Sequence, residues 1–229
     1  MKKIKLIPVH IINSSWLGNL FKMTALFLIT SFMTVDKDFT TAETKDGIEI
    51  KIYLEHDSKR EENARQKLGH VLSKYNLKDW IFSDKIIITD KGLPHSHPMI
   101  TLTTESEYYN DEHTQLSTFI HEQMHWYEEK NQNKIKKVIN KLKSHYKNVP
   151  VGNGKGAKSI YSTYLHLAVC WLEYDAIVEL YGKTKADSIF KAKDHYKWIY
   201  NTVLKDKKQI GQILSDYDLI ITPYRGISV

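Results

Sequence analysis

A single cysteine, Cys170, stands in a chain of 229 residues, so no intramolecular disulfide is available and cysteine usage leaves the redox compartment undetermined. Long apolar runs are equally scarce. The most apolar stretch near the N-terminus, residues 23–33, is too short to read as a membrane span. No internal repeat is visible, which sets aside solenoid and propeller architectures. The three glycines within residues 152–156 do not follow a clear strand and lack the G-x-x-x-x-G-K-[ST] spacing, which sets aside a phosphate-cradling loop.

What is present fits one modest domain. With 41% hydrophobic and 11% aromatic residues the chain can bury a sizeable core, and disorder is not indicated. The net charge of +6 and pI near 9.1 raise the question of nucleic acid. However, the lysines scatter through residues 134–143 and 183–208 as polar helix faces, without a recognised binding fold. They read as solvated faces that attract acidic substrates or anionic surfaces, and specific nucleic-acid binding is not expected.

The chain divides into residues 1–45, a leader, and 46–229, a folded domain. The leader is basic, then apolar over residues 23–33, and resembles a signal or membrane-associated segment with Thr40-Thr41-Ala42 as the best processing site. Export or envelope attachment and cytoplasmic residence stand on equal footing, and membrane contact is expected only through this segment. From residue 46 the pattern is α+β. Residues 48–54 alternate as a half-buried strand, 58–75 read as a helix, 85–89 as an apolar β-branched strand and 98–103 as another alternating strand. Residues 131–147 continue as a basic helix, and 148–156 break it as a flexible loop expected to border the site. Residues 184–217 read as two helices, the first opened by a weak capping box of Thr184 and Asp187.

The most informative run is His121-Glu122-Gln123-Met124-His125. Residues four apart share a helix face, so both imidazoles can reach one tetrahedral Zn²⁺ with Glu122 placed to act on a coordinated water. Thr114, Ser117, Thr118, His121, His125 and Glu128 form a small-to-polar stripe, and Leu116, Phe119, Ile120, Met124 and Tyr127 an apolar arc beside it. The helix therefore has a core side and a site side, and the chemistry it implies is metal-assisted hydrolysis.

Residues 159–182 read as a central helix, apolar nearly all round, stopped by Gly182. His166, Cys170 and Glu173 fall on one face of it. A buried carboxylate without a partner costs several kcal/mol, so Glu173 requires a cation: zinc, or a buried Lys or Arg. Cys170 reads as packing rather than as a ligand.

This constellation resembles the gluzincin branch of the zincin metallopeptidases. The resemblance implies a zincin-like α+β fold with a small mixed sheet and a helical C-terminal part, Zn²⁺ held by His121, His125 and Glu173, and Glu122 as general base. Glu173 follows His125 by 173 − 125 = 48 residues, and His166 precedes Glu173 by 173 − 166 = 7. The latter spacing is similar to the lethal-factor-like arrangement, where a Tyr steadies the oxyanion; here it implies that role for His166. A peptide or protein substrate is implied, adding as an extended strand beside residues 98–103. Two alternatives share the residues: a zinc-binding module without turnover, and a secreted effector protease with one narrow protein target. His95 and His97, in a Pro-flanked turn, are left out of the ligand set.

Overall fold

The computed structural model describes residues 38–105, 108 and 111–221, so the apolar run at 23–33 and nearly all of the expected leader lie outside the described residues. The remainder is a mixed α+β fold. A four-stranded sheet in the order β1-β2-β3-β4 is made by Phe39–Glu43, Glu49–Leu54, Lys85–Thr89 and Ile100–Thr103. β1 runs antiparallel to β2, while β2, β3 and β4 run parallel. Six α-helices follow among the described residues: α1 Lys59–Leu72, α2 Glu112–Lys130, α3 Gln132–His145, α4 Ile160–Tyr181, α5 Lys183–Ala192 and α6 Lys197–Ser215.

Local chemistry accounts for most boundaries. The expected helix at 58–75 starts on Ser58, whose hydroxyl accepts from the Glu61 amide while Glu61 reaches back, a capping box that satisfies donors the first turn leaves open. Asp111 caps α2 through the amides of His113 and Thr114. Ser159 caps α4, and Gly182, at φ 80°, ends it in a conformation that an L side chain resists.

Three expectations are corrected. The folded unit begins earlier than residue 46, because residues 39–43 pair along their whole length with β2. α5 starts on Gly182 without any side-chain cap, and Asp187 accepts instead from Tyr174 and Lys207. The glycine-rich loop is tied down: Gly152 N donates to Ala157 O, Thr163 Oγ1 to Pro150 O, and Lys197 N and Trp198 N donate to Gly154 O and Lys155 O, so the loop caps α6.

α1 lies on the sheet, burying Ala64, Leu68, Val71 and Leu72 against Ile50, Ile52, Ile86 and Ile88. Each of these Leu, Val and Ile side chains contributes about 1.5–3 kcal/mol by leaving water. α4 is the central helix, packed against α2, α3, α5 and α6. It is apolar nearly all round because it is enclosed nearly all round, and Leu167, Trp171 and Ile177 are fully buried. The closest approach is that of α6, where a Cβ on Gly211 would sit 2.4 Å from Trp171 Cζ2. This packing fixes α4 against α2 and thereby builds the site.

Candidate metal centre

α2 presents His121 and His125 one turn apart, with ring centroids 5.1 Å from each other. α4 crosses it and brings His166 to 5.7 Å from His121 and 5.0 Å from His125. Nitrogen donors of the three rings lie within 4.8 Å of one another. Around a tetrahedral ion with ligands at ~2.0–2.1 Å, donors sit ~3.4 Å apart, so a small contraction brings the three onto one ion.

Ring orientation is also set. His166 Nδ1 lies 2.7 Å from the Ser162 carbonyl, which can only accept, so this nitrogen carries the proton. His121 Nδ1 donates to Glu173 Oε2 at 2.9 Å, and His125 Nδ1 lies 3.7 Å from Glu128 Oε2. Nδ1 is thus hydrogen-bonded on His121 and His166, while on His125 it only faces Glu128. Burial pulls the His121 ring down, but the Cys170 thiol and the Glu173 carboxylate outweigh it and hold the ring well above its ordinary pKa. Burial, then the neighbouring His125 and His121, hold His166 well below its ordinary pKa and hence neutral. The donor set fits zinc.

Glu173 does not join this group. Its carboxylate is fully buried, accepts from His121 Nδ1 and the Tyr200 hydroxyl on Oε2, and receives the Ser117 hydroxyl on Oε1. Lys193 Nζ stands 3.5 Å from Oε1. Burial pushes this carboxyl up, but Lys193, His121 and Ser117 outweigh burial and hold it at about 2. In space it is His166, expected as a stabiliser, that meets the α2 pair, while Glu173, expected as a ligand, lies behind His121. The cation expected for Glu173 is present as Lys193. Cys170, fully buried, places its sulfur within 4.8 Å of donor atoms of His121 and Glu173, on the side of Glu173 rather than that of His125 and His166. Burial raises its thiol despite the opposing pull of His121, in keeping with a packing role.

The three imidazoles open onto a cleft of about 360 Å³. Glu122, 5% exposed, lines it beside His121 and His125. Burial lifts its carboxyl above the ordinary range against the pull of the two histidines, which suits a base working nearer neutrality. One rim of the cleft is Leu93–Pro94–His95–Ser96. This segment doubles back on β4: His95 N donates to Thr101 O at 3.1 Å and Thr101 N to His95 O at 2.7 Å. The β4 edge at Thr101, the place expected for an extended substrate to add, is therefore already taken by the chain's own His95. His95 borders the cleft, whereas His97 stacks on Trp126 with centroids 4.7 Å apart; neither joins the ligand group.

The opposite wall carries Lys193, His195, Tyr196 and Tyr200, with Lys158 and Ser162 at the start of α4. Of these, His195 and Tyr196 escaped the sequence reading. They lie in the break between α5 and α6, where Tyr196 takes the left-handed conformation (φ 50°, ψ 32°) unusual for an aromatic residue. Its ring packs on His166 with centroids 4.7 Å apart. Burial, with Cys170 and Glu122, raises its hydroxyl to about 12, so it stays a proton donor. The only signal in the sequence is a His-Tyr pair interrupting a lysine-rich helical stretch.

No family model, curated protein or solved structure matches the chain.

Proposed function

We propose that the protein is a zinc-dependent peptidase with a zincin-like site in which His121, His125 and His166 hold the metal and Glu122 is the general base. The observation that carries this reading is the convergence of three imidazoles from α2 and α4, two of them oriented by a hydrogen bond at Nδ1. An all-histidine set departs from the gluzincin pattern, in which the third donor is a carboxylate. Zinc bound there would supply a Lewis acid and lower the pKa of a coordinated water toward ~7.

The chain's own groups divide the remaining work. Glu122, next to His121 on α2, accepts the water's proton as the water attacks the scissile carbonyl and then passes it to the leaving amine. Tyr196, protonated and packed on His166, donates to the oxygen on which charge develops, an interaction worth ~3 kcal/mol or about 10²-fold in kcat. Glu173 fixes the tautomer and orientation of His121 and is itself held by Ser117, Tyr200 and Lys193. The Leu93–Ser96 rim aligns the substrate backbone.

Metal analysis combined with turnover of a fluorogenic peptide library tests the assignment. Wild type should carry one zinc per chain. His166→Ala should lose it, Glu173→Gln should retain it with about 10-fold weaker affinity, and Glu122→Gln should retain it while turnover falls on the order of 10²-fold or more. Zinc retained by His166→Ala but lost by Glu173→Gln would restore the gluzincin ligand set. Zinc binding without turnover by wild type or Glu122→Gln would favour a non-catalytic zinc module.

A further inference from the structure

A second convergence of metal-ligating atoms lies outside the cleft, where β2 and β3 end. His56 follows β2, Glu61 stands in the first turn of α1 and Asp90 directly follows β3. Glu61, fully buried, is fixed by three backbone donors: the amides of His56 and Ser58 on Oε2 and that of Asp90 on Oε1. His56 Nδ1 lies 2.9 Å from Glu61 Oε1 and 3.1 Å from Asp90 Oδ1. Two carboxylate oxygens therefore converge on one ring nitrogen, which carries at most one proton. The hydrogen bond goes to Glu61, and Asp90 Oδ1, itself out of contact with water, has no hydrogen-bond partner.

We propose that His56, Glu61 and Asp90 form a second divalent-cation site, distinct from the histidine centre. An ion in place of the single proton satisfies all three donors at once, including the orphaned Asp90 oxygen. The preferred ion follows from geometry. Donors 2.9 and 3.1 Å apart, each ~2.1–2.2 Å from a common ion, subtend angles of ~90°, octahedral rather than tetrahedral. Two carboxylates and one imidazole with water in the remaining positions suit Mn²⁺ better than a structural zinc. The half-exposed His56 ring leaves a side open for those waters.

The position gives the site a mechanical role. Asp90 is the first residue after β3, and the chain beyond it runs directly into Leu93–Ser96, the rim of the cleft. A cation joining Asp90 to His56 and Glu61 anchors the root of that rim to the β2–α1 junction.

The test uses the full chain carrying His121→Ala and His125→Ala, which removes the proposed zinc ligands and makes the outcome independent of the peptidase reading. Mn²⁺ titration followed by electron paramagnetic resonance of the free ion should give one site per chain, and a further Asp90→Asn or His56→Ala substitution should weaken it at least 10-fold. Mn²⁺ should also slow amide exchange over residues 90–97 in the parent and not in the Asp90→Asn variant. No Mn²⁺ binding by the parent, or equal binding after Asp90→Asn, would mean that the cluster is only a His56 ion pair. Binding without slowed exchange would overturn the anchoring role.

Discussion

α2 and α4 each carry a buried glutamate within reach of the same histidine, yet their surroundings drive the two carboxyls in opposite directions. Glu122 on α2 is lifted by burial, and among the described residues no donor satisfies its oxygens. Glu173 on α4 is more deeply buried and is nevertheless held at about 2, because Lys193, His121 and Ser117 surround it. Burial alone therefore does not decide a carboxylate's character; the number of donors aimed at it does. The glutamate left short of donors is the one able to exchange a proton. The fully partnered one holds neighbours in place.

The largest effect that can break this contrast is on stability. Glu173→Gln leaves Lys193, whose side chain is only 6% exposed, buried without a counter-charge, and should cost about 3–5 kcal/mol in denaturant unfolding. A loss below ~1 kcal/mol would show that α4 does not depend on its charged centre. Gly211→Ala should cost about 1–3 kcal/mol, since the new methyl collides with the Trp171 ring on the fully enclosed side of α4. An unchanged melting temperature would mean that α6 shifts freely.

Glu122→Gln should act in the opposite sense, raising stability by about 1 kcal/mol at neutral pH. Its folded pKa is raised above 4.5, so the folded state binds the proton more tightly than the unfolded chain does. The glutamate is therefore without penalty below pH 4.5 and becomes destabilising as pH rises through its folded pKa. The gap between variant and wild type should open over that range, and a gap independent of pH would sink the argument. The smallest effect is at Asp187, which accepts from Tyr174 of α4 and from Lys207. Burial raises this carboxyl, but Tyr174, Lys207 and Lys183 together hold it below 3.8. Asp187→Asn should cost about 1 kcal/mol near neutrality, and that difference should fade in melting curves as pH falls below 3.8.

Contiguous features of the site were legible in the chain. His121, Glu122 and His125 share one helix, so local period alone sets their relation, and β3 occupies the expected residues 85–89 because its β-branched run has no competing pattern. The choice between His166 and Glu173 was not legible. They lie on one face of α4, seven residues or ~10.5 Å apart along its axis. Which of them meets the α2 pair depends on how far α4 slides along α2, a quantity fixed by packing such as Trp171 against Gly211. β1 was missed because Phe-Thr-Thr-Ala-Glu is almost wholly exposed, and only pairing with β2 makes it a strand. Tyr196 was missed because its approach to His166 depends on a left-handed turn between helices that its sequence does not announce.

The glycine-rich loop has a consequence for survival of the chain beside its own cleft. Peptidases bind the segment they cut in extended form, and a glycine-rich surface loop is ordinarily the first place a chain is nicked. Here Gly152, Asn153 and Gly154 all take positive φ, at 63°, 52° and 68°, which coils the backbone instead of extending it. Gly154 and Lys155 are also fastened to the first turn of α6. Straightening the loop would uncap that helix and release Tyr196 along with it. Proteolysis at this point is thereby opposed by the same hydrogen bonds that complete the wall of the cleft.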